Sequence, residues 1–160
     1  MNLAKAFGSL ADNKNLVRTR SFDFNGHIFK VRVPLTSELD AMQARLKEPA
    51  PELEAKYYAQ LTNGLEDNKE LLEQTEGVEI KDNDIIIDGR SLRELAQGTA
   101  LSERRVVEMF KMLVAEDPEF DMSTITYDMI EELFPFSIQI EMMELIAKTI
   151  SPDYKEIRSK

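Results

Sequence analysis

Hydrophobic residues recur at every second position through the early chain. Val17, Phe22 and Phe24 are followed, after Asn25-Gly26, by His27, Phe29, Val31 and Val33, with Ile28, Lys30 and Arg32 falling opposite. A period of two is the signature of strands. Asn-Gly tolerates the positive φ of a type I′ turn, so the pattern from Leu16 to Val33 predicts a β-hairpin. Before it, Leu3, Phe7 and Leu10 stand at near-helical spacing and a polar run, Asp12 to Asn15, follows. Residues 1–15 therefore read as an amphipathic arm, docked or mobile.

Beyond Pro34 the period lengthens to that of a helix. Thr36 is placed to cap it, with Glu38 and Asp40 in the first turn and an amphipathic run to Leu46. A break at Glu48 to Pro51 precedes a second helix, Glu52 to Leu61, carrying Leu53, Tyr57, Tyr58 and Leu61. Val78-Glu79-Ile80 and Ile85-Ile86-Ile87 flank a polar stretch, Lys81 to Asp84, which predicts a second small hairpin before Asp88-Gly89.

Ser91 to Val114 read as two short helices joined by a tight turn. Ala96 takes the small-residue position of a helix-turn-helix, Leu92, Leu95 and Leu101 surround the turn, and Val106 and Met109 face inward on the second helix. Two details depart from that motif: Gly98 comes early, and Ala100 stands where glycine is usual. Arg104 and Arg105 are the candidate DNA contacts. Between Arg90 and Lys111 five basic residues face three acidic ones, a thin surplus for a phosphate-reading surface.

Further on, Thr126 caps a helix to Phe134, Pro135 interrupts it, and a last helix runs from Ser137 to Ile150. Ser137, Glu141, Glu144 and Lys148 form one narrow polar stripe, and apolar residues cover the rest of the circumference. A helix so apolar is buried on more than one side. Either the fold wraps it or a second subunit does. Ile138, Ile140, Met142, Met143, Ile146 and Ile150 are the candidate protein interface.

The expected architecture is thus α+β, predominantly helical, with an N-terminal antiparallel hairpin and a second short one. It reads as one domain over 1–150 with a polar tail at 151–160. At 160 residues and 18.4 kDa a single core is the default. A net charge of −10 opposes free-standing nucleic-acid binding, because an acidic body repels phosphates. With no cysteine there are no disulfides or thiolate metal sites, and no apolar run is long enough for a secretory signal or a membrane span. The expected location is the cytoplasm.

Candidate chemistry is sparse. His27 is the single histidine, without the second nitrogen ligand or the oriented nucleophile that a metal site or a triad needs. Asp82, Asp84 and Asp88 suggest a calcium loop, but the next ligand position is occupied by Ile86. Lys56, Tyr57 and Tyr58 have the types that stack on bases, yet acidic neighbours point to ordinary packing, with one tyrosine in the core and one on the surface. No phosphate loop, nucleophile elbow or metalloprotease motif occurs. The reading is non-enzymatic, with no catalytic residue, cofactor or metal.

Three segments together, residues 6–36 (AFGSLADNKNLVRTRSFDFNGHIFKVRVPLT), 85–114 (IIIDGRSLRELAQGTALSERRVVEMFKMLV) and 121–156, which includes MIEELFPFSIQIEMMELIAK, resemble the tail assembly chaperones of long-tailed, non-contractile bacteriophages. The resemblance implies a protein that self-associates, binds the tape-measure protein, and helps recruit tail-tube subunits during tail morphogenesis. It also implies absence from the mature virion and, commonly in this family, a longer frameshifted product for which 151–160 would be the junction. Two other readings stand beside it: a DNA-binding regulator using residues 91–114, and a structural minor tail protein.

Overall fold

The computed structural model describes residues 3–8, 18–63, 65, 69–81 and 83–151. Within them lie seven α-helices: α1 (Leu3–Ala6), α2 (Thr36–Lys47), α3 (Pro51–Leu61), α4 (Lys69–Glu73), α5 (Leu92–Phe110), α6 (Tyr127–Leu133) and α7 (Phe136–Ile150). Five strands accompany them: β1 (Thr19–Phe24), β2 (His27–Arg32), β3 (Val78–Lys81), β4 (Asp84–Ile87) and β5 (Arg90–Ser91). The fold is α+β and mostly helical, as the periodicities predict. The chain packs as two compact units, residues 1–44 with 106–160, and residues 45–105. Leu10, the polar run 12–15, Leu16, Val17 and the tail beyond Ser151 lie outside the described residues.

In the first unit β1 and β2 pair antiparallel about the predicted turn, with Phe22 opposite Phe29 and Phe24 opposite His27. Asn25 (φ 50°) and Gly26 (φ 89°) supply the positive angles of the turn. The free edge of β2 is extended by residues 112–114. Arg32 N–H donates to Met112 O and Val114 N–H donates to Lys30 O, both at 2.8 Å, around a bridge between Val31 and Leu113. On this small sheet lies α7, and the core between them joins Val31 to Val106, Phe110, Leu113, Ile125, Ile130, Met142 and Ile146. Arg20 donates from Nη1 to Thr149 O at 2.9 Å, satisfying a carbonyl in the last turn of α7 with a cation at the negative end of its dipole.

Thr36 is the first residue of α2 and not its cap. Leu35 precedes the helix, and its N–H is taken by the Glu38 carboxylate at 3.0 Å, the reach-back half of a capping box. The Leu35 N–H is the main reason that the Glu38 carboxyl is held below the usual carboxylate range, and the Arg18 guanidinium paired with it adds to the effect. Thr126 does cap α6 as predicted, accepting from Met129 N–H at 3.4 Å. Phe134 and Pro135 separate α6 from α7.

The second unit corrects two expectations. The polar stretch in the second hairpin is shorter than predicted, because Lys81 and Asp84 pair within β3 and β4. A third strand, β5, then follows the turn at Asp88 (φ 50°) and Gly89 (φ 79°). The larger correction concerns Ser91 to Val114, within which Leu92–Phe110 form one 19-residue helix and not a helix-turn-helix. Leu92, Ala96 and Ala100 repeat at i, i+4 and i+8 on a single buried face. Gly98 falls on the exposed side, and its φ is not positive. Glycine without a left-handed conformation weakens a helix but does not end it. Leu95, expected at the seam, is exposed.

Ser91 starts this helix by a network that the sequence pattern had left unread. Ser91 Oγ accepts from Glu94 N–H at 3.1 Å and donates its own proton to Asp84, whose other oxygen accepts from Ile85 N–H at 2.8 Å and Arg93 N–H at 3.1 Å. Two ends of a hairpin and the first turn of α5 are thereby tied through one carboxylate.

Candidate apolar docking groove

On the first unit, the top of the core is left open. Phe110, Leu113, Ile125 and Ile130 are buried and also form the floor of a groove of about 640 Å³. One wall is β2 with the extension that ends at Val114. The opposite wall is α6, and Phe120 and Met122 close one side. Each wall presents apolar side chains to solvent: Ile28, Val114, Phe120, Met129 and Leu133 are all exposed, Leu133 by 79%. Large apolar residues scattered singly over a surface need no explanation, but five lining one concavity mark a contact surface.

Local structure explains why these side chains cannot retreat. Met129 and Leu133 share one strip of α6, while Ile130 and Phe134 turn toward the core, where Phe134 meets Phe110 edge-on at 5.3 Å. Gln139, fully buried, fastens the α6–α7 junction: its Nε2 donates to Phe134 O at 2.9 Å and its Oε1 accepts from Tyr127 OH at 3.1 Å. Helix α6 is therefore held by both ends, with its Met129–Leu133 strip facing outward.

Polar groups occupy the rim. His27 Nε2 lies 3.0 Å from Glu116 Oε1, and both side chains are exposed. Asp128, Glu131 and Glu132 project into solvent from α6. Asp121 accepts from both the hydroxyl and the N–H of Ser123, which holds its carboxyl below the usual range and keeps it charged. From Met112 to Ala147 the chain carries nine carboxylates and not one lysine or arginine.

The predicted interface on α7 fares differently. Met142 and Ile146 have no exposed surface, and Ile138, Met143 and Ile150 pack against the same core. Of the two ways to bury that helix, the fold itself is the one realised for these five residues. Only Ile140 is exposed, at 40%.

The candidate DNA contacts are separated as well. Arg104 is engaged, donating to Glu48 O at 2.7 Å and to Arg45 O, so that it satisfies carbonyls at the C-terminal end of α2. Arg105 is exposed in the same continuous helix. Without a turn there is no separate recognition helix for either to serve. Neither tyrosine matches its expected place, since Tyr57 and Tyr58 are both half-buried: Tyr57 OH donates to Glu103 and the Tyr58 ring lies 4.0 Å from the Arg93 guanidinium. Asp84, a member of the suspected calcium loop, is occupied by Ser91, Ile85 and Arg93. Asp82 lies outside the described residues.

Sequence reasoning missed the groove. Its wall residues are spread over β2, the segment after α5 and α6, and none forms a motif. The readable signal was the run of carboxylates without a base, threaded with Phe120, Met129 and Leu133. No protein family, curated protein or solved structure matches this chain. Among the described residues no helix is long and apolar enough to cross a membrane.

Proposed function

We propose that this protein is a non-enzymatic phage tail assembly chaperone that binds the tape-measure protein through the groove between β2 and α6, and helps recruit tail-tube subunits. The observation that supports the reading is the exposed apolar groove in an otherwise highly acidic chain. A chaperone for a long, apolar-striped client needs a surface that takes the client's apolar side chains out of water, together with a charged exterior that keeps the complex dissolved. The groove supplies the first and the net charge of −10 the second. The resemblance of the three segments to tail chaperones supplies the identity of the client. The site of client contact moves from α7, five of whose six candidate residues pack in or against the core, to the groove. Host cytoplasm, self-association and absence from the finished particle belong to the same proposal.

The test is co-expression with a tape-measure protein from the same phage. The expected result is a client that is insoluble alone and soluble with the chaperone, the two co-eluting, while purified virions lack the chaperone by mass spectrometry. A client that stays insoluble and never co-elutes would overturn the proposal. Presence of the protein in mature virions would replace it with the structural tail-protein reading.

A further inference from the structure

We infer that the groove selects a basic amphipathic helix, one whose apolar stripe at i, i+3, i+4 and i+7 is bordered by lysine or arginine. The inference rests on the chaperone reading only in taking the groove as the client site. Three observations carry it.

First, the walls offer mainly side chains. Lys30 O and Arg32 N–H, the groups through which the edge of β2 would add a strand, are already bonded to Val114 and Met112. That stretch of the edge is closed to a client strand, and the open floor beside it is formed by side chains, which suits recognition by a side-chain stripe, the helix-in-groove mode. Second, the charged lining residues, His27, Lys30 and Glu116, are exposed, and the buried lining residues Phe110, Leu113, Ile125 and Ile130 are all apolar. A small polar ligand would need convergent polar groups in the depth of the site. Third, the rim is acidic. Glu116 lines the groove, Glu131 and Glu132 flank its lining residues Ile130 and Leu133 along α6, and Asp117 and Glu119 stand next to Phe120 in the chain, all with exposed side chains.

Such a rim repels nucleic acid and anionic lipid headgroups, and equally an acidic helix. It favours a cationic one, accelerating encounter and holding its flanking ammonium or guanidinium groups over the α6 carboxylates. The apolar stripe then supplies the burial, and the charge supplies the choice of partner.

Two fluorescein-labelled helical peptides test this against the full chain. They share one leucine stripe and differ only in a polar face of lysine or of glutamate. Fluorescence anisotropy should show the lysine peptide binding at least about tenfold tighter, with the advantage shrinking when salt rises from about 0.05 M to about 0.5 M. Leu133→Asp, at an exposed position, should abolish binding of the lysine peptide. Leu71→Asp, also exposed, on α4 and outside the groove, should leave it unchanged. Glu131→Lys with Glu132→Lys should erase or reverse the preference.

Equal affinity for both peptides would overturn the charge selection, and binding indifferent to Leu133→Asp would overturn the groove as the site. Either failure with intact tape-measure co-elution sinks this inference and leaves the chaperone reading standing. The expected peptide result without co-elution does the reverse.

Discussion

Gly98→Ala discriminates between the two conformations that Ser91 to Val114 could take. In the structure Gly98 lies within α5 on its exposed side, its φ is outside the left-handed region, and a Cβ built there meets nothing within 4 Å. Alanine therefore introduces no clash and no strained backbone. It relieves the helix of glycine's excess conformational freedom in the unfolded chain, worth about 0.8–1.0 kcal/mol in a helix interior. For a chain of this size that is roughly 2–4 °C in melting temperature, or about 0.4 M in urea midpoint at a slope of about 2 kcal/mol/M. Urea titration followed by far-ultraviolet circular dichroism measures it. Gly26→Ala is the control, because Gly26 has φ 89° in the β1–β2 turn and alanine there should cost about 1–2 kcal/mol. A Gly98→Ala variant destabilised to the same degree as Gly26→Ala would show that Gly98 occupies a turn, and the single-helix account of α5 would fall.

Gln139→Leu should cost about 2 kcal/mol, since it strips the Phe134 carbonyl of its donor and leaves the Tyr127 hydroxyl without its acceptor in a buried site. In that background Tyr127→Phe should cost less than it does alone, a coupling that a double-mutant urea cycle reads directly. Burial opposes the charge on Asp84, yet donation from Ser91, Arg93 and Ile85, with the nearby Arg93 charge, holds its carboxyl below the usual aspartate range. Its stabilising contribution is then full above the unfolded-state value of about 4 and disappears as pH falls through the lower folded-state value. Asp84→Asn should accordingly be less stable than the parent at neutral pH, and the gap in urea midpoints should close at acid pH; a gap independent of pH refutes the assignment. Met142→Asp should abolish folding, whereas Ile140→Asp should cost less than about 1 kcal/mol of stability by urea titration, because only the second side chain reaches solvent.

The hairpin at Asn25-Gly26 was legible, because its turn residues and its period are local properties of the chain. So were Thr126 as a cap and the break at Pro135. The helix-turn-helix failed for a reason that is also local but quantitative. One exposed glycine costs about 1 kcal/mol, and the surrounding helix formers together with the buried Leu92–Ala96–Ala100 face outweigh it. Pattern reading weighs a glycine by its presence, whereas the structure weighs it by its φ. Gln139 was passed over on α7 because a polar residue on an apolar helix identifies neither its partner nor its depth.

Alternation, turn chemistry and capping residues by themselves determined that this chain forms hairpins and amphipathic helices in this order, and composition determined its acidic character. Whether the apolar circumference of α7 served a partner or the protein's own core depended on what β1, β2 and α6 brought to it, which only tertiary packing decides. The same packing left Ile28, Val114, Phe120, Met129 and Leu133 around one open groove, although nothing in their spacing along the chain unites them. Period assigns a side chain to a face; burial of that face is a property of the neighbours that arrive from elsewhere in the sequence.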